Sequence, residues 1–259
     1  MLLKAVILDV DGTLADTADV KRAAFNQAFA EFGLDWVWGR AIFAQIIANA
    51  LAGSEVEFFT LLRHPEAFQQ MECAGKIRHI CARQQEIYRD LLEAGAAPLR
   101  PGISRLLSEL VTSQVKLAIC STCPREHFEI LLFNRFGLEF IDGLEYVTSA
   151  EELDRPTALE SYRLLVKKLD LAPSEIIAID DSAKGVAAAA GLGMSVLAVP
   201  GFYTRNDKFP GAMLVLSDLG HPAAPFAVMA GSLRGVSHIA LNDLRTLHDR
   251  ARVQTANAA

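Results

Sequence analysis

A chain of 259 residues, 51% of them hydrophobic, is long and apolar enough to bury a substantial core, which excludes a disordered or low-complexity protein. Its formal net charge of -6 supplies no overall positive field to draw it to nucleic acid or to an anionic membrane surface, so a phosphate-binding site here must concentrate positive charge locally. The opening MLLKAVILDVDGT is apolar only as far as Leu8, too short for a secretory or spanning segment, and the four cysteines come without a secretory signal; these features predict a soluble cytoplasmic protein with no disulfide framework.

The first strand is expected over Ala5 to Leu8, and it runs into Asp9 and Asp11 followed by Gly12, a residue that permits a tight turn. Two carboxylates so placed can divide labour. One can attack phosphorus while bound to a metal, and the other can protonate the leaving oxygen and then deprotonate water. The same D-x-D-G can also be an acidic turn that caps the strand. From Asp16 to Gly95 the pattern changes, with Ala24, Phe25, Ala28, Phe29 and Phe32 at helical spacing and no strand signal. Within it, Trp36 and Trp38 read either as core packing or as a rim over a site. The exit, Gly95-Ala-Ala-Pro98-Leu-Arg-Pro101-Gly102, reads as a hinge with Pro101 placed to open the next helix.

Lys116 to Cys120 is the next strand, followed by Ser121 and Thr122, whose hydroxyls and N–H groups can hold phosphoryl oxygens or simply cap a helix. Cys120 and Cys123 form a C-x-x-C, but the pair follows a buried-strand pattern and lacks companion Cys or His spacing for a metal. Arg155-Pro156 precedes a helix ending near Lys168. A further strand, Glu175 to Ile179, leads into Asp180-Asp181-Ser182-Ala-Lys184-Gly185. Adjacent acids on a loop suit Mg²⁺, and Asp181 or Ser182 can cap a helix at the same time. After a last clear strand over Ser195 to Val199, a helix is expected near Ile239 to Arg250, and the six histidines show no metal spacing. Strands alternating with helices predict a parallel sheet covered on both faces, with the ligand at the carboxyl ends of the strands. The expected organisation is a core of residues 1–15 and 96–224, a helical cap of residues 16–95, and a C-terminal extension of residues 225–259.

Taken in order, D-V-D-G-T at Asp9 to Thr13, the strand ending in Ser121, Arg155 before a proline and the strand ending in Asp180-Asp181 resemble the four-part pattern of the haloacid dehalogenase (HAD) superfamily. Trp36-Val-Trp-Gly, Leu99-Arg-Pro-Gly-Ile and Pro200-Gly-Phe-Tyr-Thr-Arg resemble more closely its CbbY subgroup, whose members dephosphorylate xylulose 1,5-bisphosphate. The resemblance spans nearly the whole chain. It implies an α/β fold with a Rossmann-like parallel-sheet core and an inserted α-helical cap, and a Mg²⁺-dependent phosphatase that hydrolyses a sugar phosphate or bisphosphate through an aspartyl-phosphate. Position by position it implies Asp9 as nucleophile, Asp11 as general acid and base, and Ser121 on the transferring phosphoryl group. Mg²⁺ would be held by Asp9, the main-chain carbonyl of Asp11 and Asp181, with Asp180 as a further or water-mediated ligand.

Departures from the family pattern fall at three places. Arg155 stands where the family has lysine, with Lys167, Lys168 and Lys184 as other cations nearby in sequence; arginine and lysine are not interchangeable. Lys21 follows the first motif where relatives carry a histidine or an acid. The element that grips a distal phosphate is reduced to Ala52-Gly53-Ser54-Glu55, with a glutamate where a cation would help. Thr122, Ser54 and Lys21 are therefore the candidate phosphate or substrate contacts. The expected partner is a small phosphorylated metabolite, with the protein a monomer or homodimer and no nucleic acid or membrane involved. A β-phosphoglucomutase-type isomerase and a catalytically impaired phospho-ligand-binding or regulatory relative are the alternatives.

Overall fold

The computed structural model describes residues 2–50, 53–73, 75–154 and 157–258, with side chains for all of these except 72, 73 and 252–258. Among the described residues one sheet contains β1 (Ala5–Asp9), β2 (Lys116–Cys120), β3 (Tyr146–Val147), β4 (Ile176–Asp180), β5 (Ser195–Ala198), β6 (Leu214–Leu216) and β7 (Val228–Ala230), in the order β3-β2-β1-β4-β5-β6-β7. Neighbours are parallel except β7, which runs antiparallel to β6. β1 and β4 read as continuous apolar runs because both of their faces are covered, as parallel strands require.

The chain divides into two compact units, one of Met1–Asp16 with Pro98–Ala259 and one of Thr17–Ala97. The first holds the sheet together with α6 (Ile103–Val111), α7 (Arg125–Phe136), α8 (Leu138–Asp142), α9 (Ala158–Leu169), α10 (Ala183–Gly191) and α11 (Leu241–Ala258). Tyr162, Leu165 and Leu169 of α9 and Val186 and Ala189 of α10 pack on Ala5, Ile7, Ala178 and Val196 of the sheet. α11 packs against α6 and buries Leu241, Leu244 and Leu247. β7 and α11 thus carry the last residues into the same unit as the sheet.

The second unit is helical: α1 (Thr17–Glu31), α2 (Arg40–Asn49), α3 (Glu55–Arg63), α4 (Pro65–Cys73) and α5 (Lys76–Glu93), with α1 packed chiefly on α5. Trp38 is fully buried here, with ring centroids 4.7 Å from Phe25 and 4.8 Å from Phe29. Asn26 clamps it from α1, accepting from the Trp38 N–H at 2.7 Å and donating to the Trp38 carbonyl at 3.1 Å. Of the two readings of Trp38, core packing is the one observed.

One local expectation is corrected. α6 begins at Ile103, so Pro101 lies in a turn before the helix and does not open it; Gly102 adopts a left-handed conformation, φ 86°, that ends the turn. Among the described residues no helix is long and apolar enough to cross a membrane.

Candidate active site

The register explains why the acidic residues meet. β1 pairs on one side with β2, placing Asp9 beside Cys120, and on the other with β4, placing Leu8 beside Ile179, so Asp9 and Asp180 emerge next to each other at the carboxyl edge. This central strand, with chain connections leaving in both directions, is where open α/β sheets bind ligands. Asp9, Asp180 and Asp181 present carboxylate oxygens that all lie within 4.8 Å of one another.

Each of the latter two acids is fixed by donors. Asp180 accepts from the Ser182 N–H at 2.8 Å, the Ser182 hydroxyl at 2.9 Å and the Tyr162 hydroxyl at 2.7 Å. Asp181 accepts from the Thr204 hydroxyl at 2.9 Å, and Thr204 in turn accepts from the Gly201 N–H at 3.0 Å. Ser182 also caps α10, its hydroxyl accepting from the Gly185 N–H at 2.9 Å. The helix-capping reading of this segment is thus met at Ser182, in the same segment that brings Asp180 and Asp181 into the acidic cluster. Two glycines leave room for the cluster: a Cβ on Gly12, which sits at φ 86°, would run into the Asp181 carboxylate, and one on Gly185 would run into that of Asp180.

Crowding buried carboxylates makes them hard to ionise. Burial, and then repulsion from Asp180, Asp181 and Asp11, holds the Asp9 carboxyl well above the usual carboxylate range. Burial also raises Asp180, against the opposing hydrogen bonds from Ser182 and Tyr162. Asp181 is pushed up to about 7 by burial and by Asp180, with Thr204 and the positive charge of Arg100 working the other way. A donor set made only of oxygens, half-buried at Asp9 and buried at Asp180 and Asp181, and mutually repelling, fits a hard divalent cation such as Mg²⁺. The Asp11 side chain lies outside this three-carboxylate group.

Arg100 is a site residue that the sequence reading did not single out. Its side chain is 6% exposed, and its guanidinium donates to the carbonyls of Gly12, Val199, Pro200 and Ser217, tying together the loops after β1, β5 and β6. Its own N–H binds the Leu14 carbonyl at 2.8 Å. The carbonyl next to Asp11 is thereby held by a cation.

Ser121 is also built in. Its N–H donates to the Thr148 hydroxyl at 3.2 Å and its carbonyl accepts from the Ser161 hydroxyl at 3.2 Å. The Ser121 hydroxyl accepts from the Cys123 N–H at 3.0 Å, which leaves its proton to be donated elsewhere. Thr122 follows on the same loop, half-buried. Arg155 and Pro156 lie outside the described residues. Of the other cations, Lys168 is bonded to the Val147 carbonyl at 2.6 Å and to Glu152, and Lys184 is exposed. In the helical unit, Lys21 pairs with Glu55 at 2.6 Å, and Ser54 sits half-buried at the position preceding α3.

Comparison with known proteins gives the family. The family model described as haloacid dehalogenase-like hydrolase matches residues 3–193. The chain belongs to the haloacid dehalogenase-like hydrolases. It is 32% identical over 238 residues to the CbbY protein of Cupriavidus necator, covering 91% of this chain and 92% of that one. The solved structure of CbbY from Rhodobacter sphaeroides in complex with phosphate superposes with a TM-score of 0.71 at 30% identity, covering 84% of this chain and 95% of that one. A variant of that CbbY, in complex with xylulose 1,5-bisphosphate, matches with the same TM-score of 0.71. β-Phosphoglucomutase from Clostridium difficile, at 16% identity and a TM-score of 0.68, shares the fold. Within the family, this chain is a phosphatase-type hydrolase related to CbbY.

Proposed function

We propose that this protein is a Mg²⁺-dependent phosphatase that hydrolyses a small phosphorylated sugar through a phosphorylated Asp9. The observation that carries this reading is the convergence of Asp9, Asp180 and Asp181 at one sheet edge beside the loop that begins at Ser121. Asp9, the main-chain carbonyl of Asp11 and Asp181 would hold the ion, with Asp180 as a further ligand. When bound, Mg²⁺ supplies positive charge that offsets the repulsion between the carboxylates and a phosphate dianion.

An oxygen of Asp9 attacks phosphorus, and the bond from phosphorus to the ester oxygen breaks as that oxygen takes the proton of Asp11. Ser121 donates a hydrogen bond to the phosphoryl group, and Arg155 balances its charge. Water then gives a proton to Asp11 and attacks phosphorus. The bond to Asp9 breaks, inorganic phosphate leaves, and both acids return to their starting states. Thr122 contributes to phosphate binding, while Lys21 and Ser54 act on the rest of the substrate. Xylulose 1,5-bisphosphate, bound by a CbbY relative, is the first bisphosphate to test.

The test is phosphate release by wild type and Asp9→Asn across sugar mono- and bisphosphates, with Mg²⁺ and with EDTA. Chelation and the substitution should each lower release on the order of 10⁴-fold. Folded wild type that releases phosphate from none of these compounds would overturn the proposal and leave a phospho-ligand-binding relative.

A further inference from the structure

Asp180 is held at both of its carboxylate oxygens. Oδ1 accepts from the N–H and from the hydroxyl of Ser182, at 2.8 and 2.9 Å, and Oδ2 accepts from the Tyr162 hydroxyl at 2.7 Å. A carboxylate offers about four acceptor positions, roughly two on each oxygen. Among the described residues, Ser182 fills both positions on Oδ1 and Tyr162 fills one on Oδ2, so the open position is on Oδ2. Tyr162 is not free to move away. It lies in the middle of α9, fully buried, in the same apolar cluster as Ile7, Leu165, Ala178 and Val186. A phenol hydroxyl buried in this way needs a partner, and Asp180 is that partner. On another side the main chain of α10 closes on Oδ2, near enough at Gly185 that a Cβ there would collide with it.

Resting on the reading of the acidic cluster as a Mg²⁺ site, we propose that Tyr162 is a positioning residue that holds Asp180 to a single, fixed ligand oxygen and thereby sets a preference for Mg²⁺ over Ca²⁺. Mg²⁺ demands near-ideal octahedral geometry with each oxygen at about 2.0–2.1 Å. Ca²⁺ accepts about six to eight oxygens at about 2.3–2.6 Å and takes a carboxylate through one oxygen or through two. A carboxylate clamped at both ends meets the first demand and is barred from the two-oxygen mode that only the larger ion uses. With the Tyr162 hydroxyl gone, Ser182 alone anchors the group at Oδ1, and the carboxylate plane can turn about that anchor. Ca²⁺ adapts to a turned or shared oxygen, whereas Mg²⁺ loses a ligand held where its geometry requires one.

The experiment reads ion binding without turnover, by calorimetric titration of the whole protein with Mg²⁺ and separately with Ca²⁺ at one pH, alongside melting in EDTA. Tyr162→Phe removes only the hydroxyl. It should raise Kd for Mg²⁺ about 10-fold, the low end of the roughly 10–100-fold that partners of a ligating group contribute, and leave Kd for Ca²⁺ within about 3-fold of wild type. Leu165→Val, in the same cluster and on the next turn of α9, should lower the melting midpoint in EDTA without moving the ratio of the two constants. Equal weakening of both ions by Tyr162→Phe, no change in either, or a ratio shift as large in Leu165→Val would reduce Tyr162 to core packing and overturn its role while the ion site stands. Wild type that binds no Mg²⁺, with Asp181→Asn indistinguishable from it, would remove the ion site and take this inference with it.

Discussion

Arg100 in the sheet-containing unit and Lys21 in the helical unit are both drawn partly or wholly out of water, and their charges are met in different ways. Arg100 binds carbonyl oxygens on three loops, and its nearest carboxylate, Asp16, is 3.7 Å away and 59% exposed. Its charge is left uncancelled by a buried partner and opposes the upward push on Asp181. Lys21, 31% exposed, meets a 6% exposed Glu55 carboxylate at 2.6 Å, and the two charges offset each other. One unit thus keeps a cation beside its clustered acids, while the other ties up the cation proposed to meet substrate. Changing each cation's partners separates the two arrangements.

The largest effect is expected from Arg100→Met. It leaves the carbonyls of Gly12, Val199, Pro200 and Ser217 without their donor and the acidic cluster without its nearby positive charge. Breaking a buried charged hydrogen-bond set in this way costs about 3–5 kcal/mol, measurable by urea unfolding. Arg100→Lys should recover only part, because a compact ammonium cannot reach carbonyls on three loops as a planar fork does. A loss below about 1 kcal/mol would show that the loops hold their places without the guanidinium.

A smaller effect comes from the carboxylates themselves, and its sign follows from their raised pKa values. Asp9, Asp180 and Asp181 bind protons more tightly folded than unfolded. Without a divalent cation, stability should therefore fall as pH rises from the ordinary carboxylate range through the value of about 7 reached by Asp181. Melting in EDTA should drop by several degrees from pH 5 to pH 8, and Mg²⁺ should restore it most at the high end, where the acids ionise. A midpoint in EDTA that stays level or climbs over this range would contradict the buried-cluster account.

How much of this was legible in the sequence depends on how far apart the partners lie. β1, β2, β4 and β5 announce themselves as apolar runs ending in polar residues, and Asp180-Asp181 is visible because the acids are adjacent. β3, with 2 residues, and β6 and β7, with 3 each, are too short to show a period. The supports of the acids are invisible for another reason: Tyr162 precedes Asp180 by 18 residues, Thr204 follows Asp181 by 23, and Ser217 follows Arg100 by 117. Such pairs are made by the sheet order, not by local spacing. Cys123 illustrates the same limit, since its C-x-x-C spacing drew attention to Cys120 while its thiol bonds Asp11, 112 residues earlier.

The smallest effect sharpens the helical side of the comparison. Glu55 was visible in the sequence as a glutamate where a cation would help, and its pairing with Lys21 spans 34 residues. Glu55→Gln removes the charge that offsets Lys21 and keeps an amide of similar size in the 5% exposed position at the start of α3. With Lys21 acting on the part of the substrate remote from the reacting phosphate, KM for a sugar bisphosphate should fall about 3- to 10-fold, or about 0.7–1.4 kcal/mol. KM for the matching monophosphate and kcat for both should hold, because the substitution leaves the acids at the sheet edge untouched. Raising salt should erode the gain, since Lys21 is partly exposed and its attraction to a phosphate is screened. Equal changes for both substrates would mean that Glu55 acts on the packing of α3, and an unchanged bisphosphate KM would remove Lys21 from the substrate contacts.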